Sequence, residues 1–275
     1  MSLIKNLRAW LSRGDAPEPP SQMTGLRDAV LRGWFNKGAG ELFTGFPVGP
    51  DDVLVDVGCG LGAHSQFSAE LGARVILVDA DPKRVAQASS RLKSLPQNPS
   101  FECHVSECNP LPIPDGTATR VLCTEVIEHV ESPAVLMSEM ARIGQRGALY
   151  LFTCPAPQAE ALQQLVAPAS YFQRPNHVRI LARDEFTRYV EAAGLVIESM
   201  NSYGFFWSIW LAFFWTTGIS LEEATEKSFQ LPGQPVLDNW LRTWQSLLDQ
   251  PNGNAIKQAL DDLMPKSQVI IARKP

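Results

Sequence analysis

The chain has 275 residues, 45% of them hydrophobic and 19% charged, ample to bury a core in one large domain or in one domain with an appendage. A net charge of −5 argues against a protein whose whole surface attracts nucleic acid. The five cysteines, Cys59, Cys103, Cys108, Cys123 and Cys154, are odd in number and hold no C-x-x-C pair. They are expected as reduced thiols of a cytoplasmic protein, outside any disulfide framework or zinc site.

Met1 to Leu11 is too short and too polar for a secretory signal. Leu3, Ile4, Leu7 and Leu11, with Lys5, Arg8 and Arg13 alongside, instead predict a basic amphipathic helix. It either docks on its own domain, which its shortness favours, or makes a peripheral membrane contact. The prolines of Asp15–Pro20 mark a linker, so residues 1–20 read as a helix and linker. A helical stretch is expected over 22–42, followed by a Gly/Pro-rich turn over 45–50. Apolar runs of strand length then recur at Val53–Val57, Val75–Val78, Phe101–Val105, Val121–Thr124, Ala148–Phe152, Val196–Ser199 and Gln268–Ala272. Between them fall helices at Ala63–Leu71, from Asp81-Pro82 to about Leu95, from Ser132-Pro133 to about Ile143, and at Arg183–Ala193 with Gly194 as C-cap. This alternation predicts an α/β fold, a doubly wound seven-stranded mostly parallel sheet, formed by residues 21–202 with 267–275. Residues 203–266 are too long for a hairpin loop and carry five of the seven tryptophans. They read as an aromatic-rich helical insert or lid, whose fourteen-residue apolar run is short of a membrane span.

The chemistry gathers behind the first strand. Val53-Leu-Val-Asp-Val-Gly-Cys-Gly-Leu-Gly62 runs from a strand into glycines and then a helix. Glycines let a backbone turn tightly and approach a nucleotide closely. A dinucleotide fingerprint is formally met by Gly58, Gly60 and Ala63, a weak match by itself. Asp79, ending the second strand, suits ribose hydroxyls under either cofactor.

Asp56, two residues before the first glycine, separates the two. The pattern resembles motif I of the class I S-adenosylmethionine-dependent methyltransferases. The resemblance continues through Asp79 and through Glu107 before Leu111-Pro-Ile-Pro-Asp115. Thr124-Glu-Val-Ile-Glu-His-Val130 is similar to the fourth-strand motif of the branch that includes the ubiquinone-biosynthesis O-methyltransferases. The stretch from His177 to Gly194 resembles the helix after strand five. The match covers about Val53 to Leu195 and the final strand, and neither the N-terminal helix nor the insert. It implies S-adenosyl-L-methionine as cofactor, held by Asp56, Gly58, Cys59, Gly60, Gly62, Asp79, Ala80, Glu107, Cys108 and Thr124.

Glu125 lies three residues before Glu128 and four before His129, and the resemblance brings His177 near them. Two carboxylates and two imidazoles can ligate a divalent metal, and Glu-x-x-Glu-His with a later His also looks like the metal site of the small-RNA 2′-O-methyltransferases. The plainer reading is a strand-to-helix connection with Glu128 and His129 hydrogen-bonded inside it, so no metal is expected. His177 or Glu125 then serves as general base. Tyr171 and Tyr203 are candidates for lining the acceptor pocket, with ordinary aromatic packing as the competing reading. The aromatic insert points to a small apolar acceptor, and the leading reading places the methyl on oxygen. The other readings are a metal-dependent RNA 2′-O-methyltransferase, against which the acidic charge speaks, and a non-catalytic cofactor-binding partner protein. The oligomeric state is not written in the sequence.

Overall fold

A computed structural model describes residues 20–221, 224 and 233–275; the N-terminal helix expected before Asp15 lies outside them. The chain opens on helix α1 (Pro20–Leu31), then three short antiparallel strands, β1 (Trp34–Asn36), β2 (Glu41–Phe43) and β3 (Phe46–Pro47). The single helix expected over 22–42 is therefore wrong beyond Leu31. Gly33 and Gly40 sit at φ +104° and +68°, a left-handed backbone that ends a helix and suits turns between strands.

The alternation that follows gives β4 (Val53–Val57), α2 (Ala63–Glu70), β5 (Arg74–Asp79), α3 (Pro82–Lys93), β6 (Phe101–Val105), β7 (Ala118–Thr124), α4 (Pro133–Ile143), β8 (Gly144–Pro155), α5 (Pro157–Val166), α6 (Arg183–Ala192) and β9 (Val196–Tyr203). Asp81 caps α3, accepting from the Lys83 amide at 2.8 Å, and Pro82 fills the first turn. Ser132 stands at the N-cap of α4 but makes no capping bond with its side chain. Gly194, at φ +80°, follows the end of α6 as a C-cap glycine should.

After β9 come helices α7 (Phe205–Phe214), α8 (Pro235–Leu248) and α9 (Gly253–Leu263), and the chain closes on β10 (Ser267–Arg273). The seven-stranded sheet has the order β6-β5-β4-β7-β8-β10-β9, and only β10 runs antiparallel to its neighbours. Leu54, Val55, Val57 and Val75–Val78 are buried, as central strands covered on both faces require. The strand order reverses beside β4, and ligands of such sheets bind beyond the strands' carboxyl ends at that reversal.

The aromatic run resolves into a second hydrophobic core. Phe206, Trp210 and Phe214 repeat along one face of α7 and pack with Leu237, Trp244 and Leu248 of α8. Helix α1 joins them. A Cβ on Gly25 would fall 2.2 Å from the Trp207 ring, and Asp28 accepts from the Trp244 indole at 3.0 Å. Helix α1 and the insert thus form one helical cap over the sheet's β9–β10 side. No described helix is long and apolar enough to cross a membrane.

Candidate active site

The loop from Val57 to Ala63 leaves the central strand where the order reverses. Gly58 and Cys59 both donate backbone N–H bonds to the Val78 carbonyl, at 2.8 and 2.9 Å, tying the loop to β5. Gly58, Gly60 and Gly62 all take positive φ, +74°, +51° and +74°. They differ in what surrounds them. A Cβ on Gly58 would lie 2.2 Å from Val126 Cγ2, and one on Gly62 2.9 Å from Ala88 Cβ, whereas one on Gly60 would meet nothing within 4 Å. Gly58 and Gly62 therefore permit close packing, and Gly60 borders an open cradle. That open backbone fits a nucleotide cofactor.

Asp79 ends β5 beside this cradle. Its Oδ2 accepts from the Gly60 amide at 2.8 Å and its Oδ1 from the Asp81 amide at 2.9 Å. The carboxylate is thus aimed by two backbone donors, and its remaining lone pairs can take hydroxyl donors. Asp56, expected as a cofactor contact, has a partner inside the protein. It is buried in β4 and its Oδ2 accepts the Ser65 hydroxyl at the start of α2, so it acts on the loop through the helix that follows. Burial, opposed by the Ser65 bond and reinforced by the charge of Asp79, pushes its pKa up to about 7. Cys59 is buried, Ala80 exposed, and Glu107 exposed on the loop after β6. Cys108 is buried at φ +64°, its amide held by Ser106 Oγ at 3.1 Å.

Side chains from β1, β7 and β9 gather around His64 of α2. Trp34 and Phe35, expected inside a helix, lie on β1 and pack on His64 of α2 with ring centroids 5.0 and 5.5 Å away. Tyr203 closes on Trp34 at 5.4 Å, and Thr124 Oγ1 stands 3.5 Å from His64 Nδ1. Burial lowers the His64 pKa to about 4, so its imidazole is neutral at pH 7. No motif marks His64, and only its place two residues past the last glycine could have suggested it.

The four expected acid–base residues divide. Glu125, at φ +55°, accepts from Thr153 Oγ1 at 2.9 Å and forms an ion pair with Lys266. Burial alone would raise its pKa, but the Lys266 ammonium and hydrogen bonds bring it below the usual carboxylate value. Glu128, His129 and His177 instead come together, with one ligand atom from each lying within 4.8 Å of the others. The loop carrying His177 is latched here, the Val178 amide bonding the Glu128 carbonyl at 3.0 Å and Arg179 the carbonyls of Val130 and Glu131.

The plainer reading of a hydrogen-bonded connection holds for the His129 amide, which donates to the Val126 carbonyl at 2.9 Å, but the side chains turn elsewhere. His129 Nδ1 faces the carbonyls of Pro175 and Asn176, each at 3.0 Å, and neither Glu128 oxygen meets a hydrogen-bond partner among the described residues. His177 Nδ1 bonds Glu160 Oε2 at 2.9 Å, and Glu160 also accepts from the Tyr171 hydroxyl at 3.2 Å. Tyr171 is buried, packed on His177 and Trp215; it braces the histidine loop. Lys266 and Glu160 carried no signal in the sequence, since each matters only through a partner far along the chain.

A glycine cradle at the reversal of a 3-2-1-4-5-7-6 type sheet, with an aimed aspartate on the neighbouring strand, defines a nucleotide-cofactor-binding α/β protein of the methyltransferase type. Comparison narrows the class. Residues 55–152 match the family described as "Methyltransferase domain". A ubiquinone biosynthesis O-methyltransferase of Xanthomonas axonopodis pv. citri is 31% identical over 157 residues, covering 54% of this chain and 64% of that protein. A Mycolicibacterium smegmatis protein named "Probable S-adenosylmethionine-dependent methyltransferase" is 30% identical over 152 residues, covering 54% of this chain; the match spans about half of that relative, 52%. Among solved structures, a geranyl diphosphate methyltransferase aligns over 96% of this chain and 94% of its own with a TM-score of 0.58 at 17% identity. The geranyl diphosphate C-methyltransferase of Streptomyces coelicolor A3(2) aligns over 98% and 89% at 0.57 and 19% identity. Residues 55–152 thus carry a methyltransferase domain, and the chain is similar to the class I S-adenosylmethionine-dependent methyltransferases.

Proposed function

We propose that the protein transfers the sulfonium methyl of S-adenosyl-L-methionine to an oxygen of a small apolar acceptor. The observation that carries the cofactor is the open Gly60 cradle beside the backbone-aimed carboxylate of Asp79. Asp79 would take the ribose hydroxyls, and the Gly58–Gly62 backbone would let the nucleoside approach where a side chain would block it. The sulfonium arrives activated, so the protein has to place a nucleophile in line with the methyl and remove its proton. Trp34, Phe35, Tyr203 and neutral His64 supply an apolar wall for the acceptor and exclude water. Glu125 is a poor base while Lys266 holds its charge. The acceptor proton is assigned instead to the Glu128–His129–His177 cluster. Two named activities of similar proteins support the acceptor class: the ubiquinone relatives are O-methyltransferases, and the structural neighbours are named for geranyl diphosphate, an acceptor with an apolar chain.

Calorimetry of the whole chain tests the cofactor, with S-adenosylmethionine expected to bind and NAD not. Asp79→Ala removes hydrogen bonds to a charged acceptor, each worth about 1.5–3 kcal/mol, so affinity should fall roughly 10- to 100-fold. Binding of NAD in place of S-adenosylmethionine, or unchanged affinity in the variant, would overturn the assignment.

A further inference from the structure

We propose that Glu160 is a positioning residue for methyl transfer: with Tyr171 it holds His177 as the tautomer protonated on Nδ1, which leaves Nε2 as the bare base. The inference rests on the methyl-transfer reading and narrows its acid–base cluster to one atom.

The surroundings of the four histidines sort them. His64 packs among aromatic rings with its Nδ1 at the Thr124 hydroxyl, and burial makes it a weak base. His104 lies on β6 at the edge of the sheet, two strands from β4. His129 Nδ1 faces the Pro175 and Asn176 carbonyls, which orient a ring but bring no net charge. Among the described residues, His177 is the histidine that hydrogen-bonds a carboxylate, Nδ1 to Glu160 Oε2 at 2.9 Å. A carboxylate can only accept, so the imidazole proton sits on Nδ1. Nε2 has no hydrogen-bond partner among the described residues, and the side chain keeps 11% of its surface accessible. A base aimed by a third group in this way is fixed in its working tautomer, and the carboxylate stabilises the imidazolium that forms when the base takes a proton.

Glu160 is itself held. It is buried in the first turn of α5, where a carboxylate without partners is costly. Each of its oxygens has one: the Tyr171 hydroxyl donates to Oε1 at 3.2 Å and His177 to Oε2. Burial pushes the Tyr171 pKa up, so the phenol keeps its proton and stays a donor. Tyr171 acts a second time through its backbone, whose carbonyl accepts the His177 amide at 3.1 Å, and the two rings pack with centroids 4.6 Å apart. Ring and backbone of His177 are therefore set by the same pair. The aromatic insert steadies that pair. Gln163, almost one turn beyond Glu160, accepts the Trp215 indole at 2.7 Å, and Trp215 packs edge-on against Tyr171 at 5.4 Å.

In the transfer, the acceptor oxygen bonds the methyl carbon as the carbon–sulfur electron pair returns to sulfur. The hydroxyl proton passes to His177 Nε2, and the imidazolium beside Glu160 later gives it to water.

The whole protein labelled with 15N-histidine tests this by long-range 15N–1H correlation spectra at pH 8, in which the two neutral tautomers give different patterns. The variant His177→Gln identifies the His177 signals by their loss. In the wild type His177 should be protonated on Nδ1 alone. Glu160→Gln should admit the second tautomer, because an amide can donate to Nδ1 as well as accept from it. Glu160→Leu should lose the Nδ1-protonated pattern. Calorimetry showing unchanged S-adenosylmethionine affinity establishes that each variant is folded, and if Glu160→Leu does not fold, Glu160→Gln and the wild type decide. A wild-type His177 protonated on Nε2, or a single unchanged tautomer in the folded variants, overturns the proposal. A wild type with the expected tautomer that does not bind S-adenosylmethionine strikes the methyl-transfer reading instead.

Discussion

Gly58, Gly60 and Gly62 look interchangeable in a motif, yet they do separate jobs. An alanine at Gly58 pays for the left-handed backbone, about 1–2 kcal/mol, and must also push Val126 aside, an overpacking cost of about 1–3 kcal/mol. Gly60→Ala carries only the backbone cost, because its Cβ enters open space. Thermal unfolding should therefore separate them, with Gly58→Ala the less stable. Calorimetry should show Gly60→Ala losing S-adenosylmethionine affinity at least tenfold despite its milder effect on folding. Equal stability in the two variants would deny that Gly58 is a packing glycine.

Asp56 separates structural from ligand roles in the same loop. Its folded pKa of about 7 lies above the unfolded value of 3.8. Between those values the native state keeps a proton that the unfolded chain has lost, so this residue's contribution to stability falls as pH rises and levels off above about 7. Asp56→Asn abolishes the titration. Urea unfolding from pH 4 to 8 should show the wild type losing ground to the variant across that window and not beyond it. The glycines and Asp79 were legible in the sequence because they are contiguous or one strand apart. Asp56 was legible as a position, but its Ser65 partner appears only when α2 folds back on β4.

At the scale of elements, the strands were readable because a buried central strand must be an unbroken apolar run. The region from Gly33 to Pro47 was not. Its three strands are two or three residues long, below what periodicity resolves, and Trp34 and Phe35 fit a helix pattern as well as a strand. The insert was legible as a helical segment, but its tie to α1 was not, because that tie is a buried cluster drawn from distant segments. Asp28, Lys257 and Asp261 are all fully buried. Lys257 pairs with Asp261 and lies 3.4 Å from Asp28, while Asp261 Oδ1 also accepts the Gly204 and Phe205 amides at the start of α7. One ammonium thus serves two carboxylates, and burial pushes the Asp28 pKa up to about 6. Lys257→Met would leave both acids without their cation. Breaking a buried pair in this way costs about 3–5 kcal/mol, readable as a lower urea midpoint. A variant as stable as the wild type would mean the cluster contributes no net stability.

The whole molecule joins the core of the helical cap to the cores built on the sheet. The cofactor cradle belongs to the sheet, and aromatic residues of β1 and the end of β9 pack together beside the start of α2. Arg32 at the end of α1 donates to the Ser202 carbonyl of β9 at 2.7 Å, and Asp261 of α9 holds the turn into α7. The cap is therefore clamped to the sheet at both of its entrances as well as by its own packing. Five of the seven tryptophans lie in the insert, so tryptophan fluorescence reports mainly the cap and far-ultraviolet circular dichroism the whole chain. If the clamps couple the two cores, urea unfolding curves from the two probes should coincide, as for a single cooperative unit. Saturating S-adenosylmethionine should then move both together, by about 2.7 kcal/mol at a hundredfold excess over its dissociation constant. A fluorescence transition preceding the loss of secondary structure, and indifferent to the cofactor, would mean that the cap folds independently and that the aromatic wall over the cradle is free to leave it.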